Sequence, residues 1–189
     1  SQLSYFTGIH KSRWDYNSVD LKRLIADCCD FMADTARNRY IHIDYSDVQT
    51  IDLLLIEKGW MKKAVLNLLH NACKYSWAGR NVIVSLNEQK GQIYFKVKNI
   101  GIGIPEAHKE RIFEAYFRSQ LEDDHGIRTG TGIGLTIVKN AIETIHKGKI
   151  SVTSEPLDKV SGNSMVNVPY QTAFTITLDR DVLNKRKYP

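Results

Sequence analysis

Asn67-Leu-Leu-His-Asn-Ala-Cys-Lys-Tyr75 closes a stretch of helical periodicity that starts near Glu57. Trp60, Met61, Ala64, Val65, Leu68, Leu69 and Ala72 recur at spacings of three and four, which predicts one inward stripe from Glu57 to Tyr75. Asn67, Asn71, Lys74 and Tyr75 follow one another at intervals of four, three and one, so they gather along one side of the helix near its C-terminal end. An amide oxygen can ligate Mg²⁺, a hard cation that prefers oxygen. A lysine supplies a point charge for phosphate, and a tyrosine ring offers an apolar wall for a base. Singly, each is an ordinary helix-surface or cap residue. Their grouping gains weight from two glycine clusters later in the chain.

Downstream, Val82, Val84 and Leu86 alternate before a Lys90-Gly91 turn, and Ile93, Phe95 and Val97 alternate after it, which predicts a β-hairpin. The two glycine clusters come next: Asn99-Ile-Gly101-Ile-Gly103-Ile104-Pro105 and Gly130-Thr131-Gly132-Ile133-Gly134-Leu135. Glycine admits positive φ and lets another group approach the backbone with no Cβ in the way. The second cluster opens an apolar-periodic helix (Ile133, Ile137, Val138, Ala141, Ile142, Ile145), where unpaired N–H groups and the positive end of the helix dipole favour phosphate. Neither common phosphate motif fits. No Gly-Lys-Ser or Gly-Lys-Thr occurs for a P-loop, and Leu135 stands where a dinucleotide fingerprint needs glycine or alanine. The polar stretch Ser119 to Thr129 between the clusters is long for a compact domain and is expected to act as a lid.

Upstream, residues 1–18 show no period and are expected to form an N-terminal arm. From Val19 the spacing of Leu21, Leu24, Ile25, Cys28, Phe31 and Met32 predicts a helix capped by Asn17 or Ser18, followed by a short strand at Ile41 and Ile43. Two further strands are expected at Lys149 to Ser154 and Thr172 to Leu178, with residues 181–189 as a basic tail. Three main helices and about five strands, mostly hairpin-linked, each have one face to bury. The expected fold over residues 19–180 is therefore an α/β two-layer sandwich on a mixed, mostly antiparallel sheet.

The chain has 189 residues, 42% hydrophobic and 25% charged, which excludes wholesale disorder and low-complexity chains. A chain of this size buries roughly two-thirds of its unfolded surface and needs no metal or disulfide to hold a core. No apolar run approaches the roughly 20 residues that cross a bilayer, so no membrane contact is expected. The surplus of 26 Lys and Arg over 21 Asp and Glu is spread along the chain, and no basic stripe interleaved with aromatics points to nucleic acid. Cys28, Cys29 and Cys73 fit neither a disulfide framework nor a zinc set; they are expected to be reduced and packed as apolar groups, in a cytoplasmic protein.

Taken in order, these segments resemble the catalytic ATP-binding domain of bacterial sensor histidine kinases, part of the GHKL superfamily with gyrase and the mismatch-repair ATPases. Asn67 to Ser76 resembles the N box, Asn99 to Pro105 the first glycine box, Ile112 to Arg118 the F box and Gly130 to Leu135 the second glycine box. The resemblance runs from about Val19 to Leu178.

It implies a Bergerat-type sandwich with ATP held between the N-box helix and the lid. Carried over by position, Asn71 would ligate Mg²⁺, Asn67 would assist from one turn earlier, and Lys74 would contact phosphate. Tyr75 would lie against adenine, with Ile104 and Leu135 as apolar neighbours and Asn99 at the base. The glycine boxes (Gly101, Gly103, Gly130, Thr131, Gly132 and Gly134) would shape the nucleotide site, the N–H groups of Gly132 and Gly134 meeting the phosphates. Arg118 would reach the γ-phosphate, where transition-state charge develops. The implied reaction is phosphoryl transfer to a histidine on an acceptor hairpin, with a response regulator downstream. Gyrase-like relatives place a glutamate at the position of Asn67. An amide cannot take a proton near neutral pH, which favours a kinase over an ATPase.

Two departures stand out. The family usually carries aspartate where this chain has Asn99, and losing that charge costs on the order of 1 kcal/mol. Asparagine can also turn and offer N–H to a guanine oxygen, so weaker discrimination between ATP and GTP is expected. The phosphoacceptor is also missing: His10 precedes Lys11, Ser12 and Arg13 rather than an acceptor motif, and none of the six histidines fits the part. The alternatives are a serine kinase of the anti-sigma type, which shares these boxes, and a nucleotide-binding scaffold without transfer activity.

Overall fold

A computed structural model describes residues 14–117, 131–157 and 168–185. The chain enters with a four-residue strand β1 (Tyr16–Val19), followed by helix α1 (Leu21–Arg37), strand β2 (His42–Val48) and strand β3 (Leu54–Glu57). Helix α2 (Lys58–Tyr75) leads into β4 (Asn81–Gln89) and β5 (Gln92–Gly101). Single 3₁₀ turns occupy Glu106–His108 and Arg111–Phe113. Helix α3 (Gly134–Lys139) then continues as a π-helical turn over Asn140–Ile145. Strands β6 (Lys149–Pro156) and β7 (Tyr170–Asp179) and helix α4 (Arg180–Asn184) complete the fold.

The main sheet runs β2-β4-β5-β7-β6, with β2 parallel to β4 and every other pairing antiparallel. Its inner face carries Val82, Val84, Leu86, Ile93, Phe95, Val97, Phe174, Ile176 and Leu178, all buried. Against it lie the apolar stripes of α1 (Leu21, Leu24, Ile25, Cys28, Met32) and α2 (Trp60, Met61, Ala64, Val65, Leu68, Leu69), together with Val138, Ala141 and Ile142. One helix layer on one sheet is the expected two-layer α/β sandwich. The β4–β5 hairpin turns at Lys90 and Gly91 with φ of 51° and 75° and pairs Gln89 with Gln92, the left-handed geometry that a two-residue turn requires.

Several expectations shift. The N-cap of α1 is Asp20, which accepts the Arg23 N–H at 3.0 Å, because Asn17 and Ser18 are drawn into β1. That strand pairs antiparallel with β3 as a separate two-stranded sheet, so the last residues of the expected arm belong to the fold. Trp14 meets Trp60 edge-to-face at 6.2 Å, and the Tyr16 hydroxyl donates to the Ile145 carbonyl at 2.8 Å. At the other end, residues 181–184 of the expected tail are helix, continuing from Arg180: Leu183 is fully buried, and Arg180 forks onto Glu88. A four-residue strand holds two periods of hydrophobic pattern and a five-residue helix little more than one, too little to read from spacing.

Candidate functional site

The last two and a half turns of α2 carry the four residues singled out from spacing, and the end of this helix is held from outside. Of its last four carbonyls, Ala72 O keeps the ordinary helical partner, the Ser76 N–H at 3.0 Å, and the other three are met from outside the helix. Ala72 O takes the Ser76 hydroxyl at 2.7 Å, Cys73 O takes Arg39 Nε at 3.0 Å, and Lys74 O takes Arg39 Nη2 at 3.0 Å. Tyr75 O takes the N–H of Ile102 at 3.1 Å. Trp77 donates back to Ile100, and Ser76 forms an isolated bridge with Gly101. The first glycine cluster is thereby stitched to the end of α2. A Cβ on Gly101 would stand 1.9 Å from Tyr75 O, and one on Gly103 would enter the Tyr170 ring at 2.4 Å. Both glycines serve close packing of protein on protein.

Along α2, Asn67 ties its Nδ2 to Lys63 O at 2.8 Å and presents Oδ1 to the second glycine cluster, where a Cβ on Gly134 would lie 2.7 Å away. Asn71, one turn on, is half-buried, and its amide makes no hydrogen bond among the described residues. Lys74 donates to the Tyr75 hydroxyl at 2.8 Å and sits 4.6 Å from the centre of that ring, so these two engage each other. Cys73, within the same motif, faces inward; burial pushes its thiol up to about 11 and removes it from chemistry.

The second cluster packs on the segment read as an F box. Tyr116 donates its N–H to Gly132 O at 3.0 Å, and Gly132, at φ 69°, leaves no room for a Cβ, which would meet Tyr116 Cα at 2.9 Å. Thr136 Oγ1 donates to Phe113 O at 3.1 Å, and the Phe113 ring stands edge-to-face on Phe174. Leu135 packs partly buried against the core, as does Ile104. Thr131 lies exposed at the start of this segment. Arg118, Gly130 and the expected lid, Ser119 to Thr129, lie outside the described residues, as does His10.

A row of buried polar side chains crosses the sheet beside this junction. Asn99 on β5 stands in register with Thr172 on β7, which stands in register with Ser154 on β6. Ser154 and Thr172 share a hydrogen bond at 2.8 Å, and Ser154 Oγ also takes the Ile104 N–H at 2.9 Å. Asn99 is 3% exposed. Sequence reasoning missed Ser154, Thr172 and Arg39. The available signal was polarity at an inward strand position: Thr172 shares parity with Phe174, Ile176 and Leu178.

The site thus joins Asn67 to Gly134, Tyr75 to Gly101, and Asn99 to the Thr172–Ser154 pair. Its chemistry is amide oxygen, amide N–H, main-chain N–H and the Lys74 ammonium held against Tyr75, suited to an anion with a hard cation. Among the described residues no three His, Cys, Asp or Glu side chains converge on a metal position.

Residues 57–182 match the family described as histidine kinase-, DNA gyrase B-, and HSP90-like ATPase. The sensor-like histidine kinase SenX3 of Mycolicibacterium smegmatis is 33% identical over 142 residues, covering 75% of this chain and 36% of SenX3. The chain therefore spans about a third of that relative. The mycobacterial sensor histidine kinase MprB superposes with a TM-score of 0.70 at 27% identity, over 87% of this chain and 97% of that one. Full-length ShkA, solved in complex with AMPPNP, gives 0.68 at 23% identity over 91% of this chain and 32% of its own. Histidine kinase ThkA in complex with response regulator protein TrrA gives 0.65 at 19% over 87% and 42%. With the described residues of the four boxes meeting at one junction and a family match across two-thirds of its length, the chain belongs to the histidine kinase-, DNA gyrase B- and HSP90-like ATPases.

Proposed function

We propose that this chain is the ATP-binding catalytic domain of a two-component sensor histidine kinase, transferring the γ-phosphoryl group of ATP to a histidine on a separate acceptor hairpin. One observation carries the reading: the Asn67 amide is locked to its own helix through nitrogen and turns its oxygen onto Gly134, so the N-box helix and the second glycine cluster meet. ShkA, a relative in fold, binds AMPPNP in the crystal, which supports a nucleotide here.

In this reading the chain binds and orients. The half-buried, unengaged amide of Asn71 fits a Mg²⁺ ligand, with Asn67 beside it. Bound Mg²⁺ would neutralise charge on the phosphate oxygens. Lys74 adds a cation, and Thr131, Gly132 and Gly134 supply main-chain N–H groups to phosphate. Tyr75, Ile104 and Leu135 form the apolar surround of the base, next to Asn99. Gly101 and Gly103 hold that surround together by letting β5 and its continuation close on α2 and Tyr170. The roles of Gly130 and Arg118 rest on the resemblance.

Chemically, an imidazole nitrogen of the acceptor forms the P–N bond as the bond from the γ-phosphorus to the bridging oxygen breaks and ADP leaves. The acceptor comes from another segment or chain. His146 has both ring nitrogens engaged, one accepting the Glu57 N–H at 3.1 Å and the other donating to Ala141 O at 2.6 Å. A response regulator is the downstream partner, in line with the ThkA–TrrA complex. No helix among the described residues is long and apolar enough to cross a membrane, which suits the cytoplasmic portion of a sensor.

The test is incubation with Mg-ATP labelled at the γ-phosphate and an acceptor hairpin from a related kinase. Acid-labile, base-stable label on the hairpin is expected. Acid-stable label would indicate a serine kinase, and binding without transfer would indicate a scaffold. Asn71→Ala should abolish Mg-dependent nucleotide binding; retained affinity would mean the site lies elsewhere.

A further inference from the structure

Asn99 carries the one buried side-chain polar atom among the described residues that has no hydrogen-bond partner, its Nδ2. Side chains two apart on a strand share a face, and the α-carbon of Gly101 presses on the Tyr75 carbonyl, so Asn99 looks into the helix layer beside the last turn of α2. Its register partner, Thr172, already shares a hydrogen bond with Ser154, which in turn holds the Ile104 N–H. A buried N–H with no acceptor destabilises the protein until something supplies one.

We propose that Asn99 sets the base specificity of the nucleotide site, and that it admits 6-oxopurine triphosphates as well as 6-aminopurine ones. The proposal rests on the reading of this junction as a nucleotide site. Adenine offers a donor at its 6-amino group and an acceptor at N1; guanine and hypoxanthine offer an acceptor at O6 and a donor at N1. An amide has one donor group and one acceptor, and a half-turn about its terminal bond exchanges them. One orientation of Asn99 therefore pairs with the adenine edge through two hydrogen bonds, and the other pairs with the 6-oxo edge. In both, Nδ2 gains the acceptor it lacks. A carboxylate at this position could only accept, and facing O6 it would repel it.

The experiment measures binding of Mg-ATP, Mg-GTP and Mg-ITP to the full chain by calorimetry, with Asn99→Asp and Asn99→Leu alongside. Inosine triphosphate isolates the 6-position because it lacks the 2-amino group. The unmodified chain is expected to bind all three within about tenfold of one another, and Asn99→Asp to widen the ATP-over-ITP ratio by about tenfold or more. Asn99→Leu should weaken all three together. The comparison among nucleotides on the unmodified chain needs no variant to fold. If that chain binds ATP and rejects both 6-oxo nucleotides, this inference falls and the nucleotide site stands. An ATP-over-ITP ratio that Asn99→Asp leaves unchanged in a folded variant likewise sinks it. If the folded chain binds no purine triphosphate at all, the reading of the site falls with it.

Discussion

The bare α-carbon of Gly134 lies against the side chain of Asn67, so that a methyl group there would stand 2.7 Å from Oδ1. The obstacle is the movable end of a side chain, half-buried near the helix surface. Gly134 is also the first residue of α3, where alanine is the better helix former, by less than the about 1 kcal/mol it gains in a helix interior. Gly134→Ala is therefore expected to leave the melting temperature unchanged or slightly raised, while turning the Asn67 oxygen away and weakening Mg-ATP binding several-fold. Gly101→Ala should do the opposite kind of damage. Its Cβ would stand 1.9 Å from a main-chain carbonyl, which cannot swing aside, and the expected loss is about 3 kcal/mol or more in urea denaturation. Equal losses of stability in the two variants would contradict this division between site and scaffold.

A second prediction concerns acid. Arg180 at the start of α4 forks onto Glu88 through Nε at 2.6 Å and Nη2 at 2.5 Å, and it also reaches the carbonyls of Asp52 and Leu53. Hydrogen bonds from Arg180 hold the Glu88 carboxyl below its usual range. A carboxylate with a depressed folded pKa stabilises fully above the unfolded value of about 4.3, and that contribution fades as pH falls through the folded value. Stability measured by urea from pH 7 to pH 3 should drop along this limb, and Glu88→Gln should flatten it. Arg180→Ala should cost about 2 kcal/mol at neutral pH, since it strands a half-buried carboxylate. An acid limb identical in Glu88→Gln would assign the effect to other carboxylates.

The parts of the fold that were legible in sequence are those with several periods or a decisive turn. The stripe of α2 repeats across 18 residues, and Lys90-Gly91 fixes the hairpin register by itself. The pairing of β1 with β3 and the small helix α4 were not legible, because four or five residues carry little pattern and their partners lie far along the chain. The site divides in the same way. Asn67, Asn71, Lys74 and Tyr75 declare themselves by helical spacing. The row Asn99–Thr172–Ser154 exists only because β7 inserts between β5 and β6, a fact of strand order. Gly101 and Gly103 announce that a Cβ is forbidden, but whether ligand or protein forbids it is settled by the Tyr75 carbonyl and the Tyr170 ring.

The cysteines allow a further check. Burial pushes the thiols of Cys28, Cys29 and Cys73 up to about 11, 12 and 11, and all three lie in the core. Thiolate is the reactive species, so with a pKa near 11 roughly one part in a thousand is ionised at pH 8. Native protein should give almost no colour with a disulfide reagent at that pH, and all three thiols should titrate in denaturant. Rapid labelling of one thiol in the native state would mean that the α1–α2 packing opens locally.

Arg39 offers the most direct link between scaffold and site. It lies just past α1, yet its guanidinium bridges the carbonyls of Cys73 and Lys74, two of the four that end α2. A cation at a helix C-terminus is favoured by the dipole by about 0.3–1 kcal/mol, and two charge-assisted hydrogen bonds add to that. The same turn presents Asn71, Lys74 and Tyr75, so loosening it should blur their placement. Arg39→Met is expected to lower stability by about 1–2 kcal/mol and to weaken Mg-ATP binding several-fold under conditions where the protein remains folded. Arg39→Lys, with a single point donor in place of a fork, should recover part of the stability and little of the affinity. Calorimetric binding beside urea denaturation separates the two effects. A variant that loses stability but binds Mg-ATP as tightly as before would make Arg39 a helix cap and nothing more.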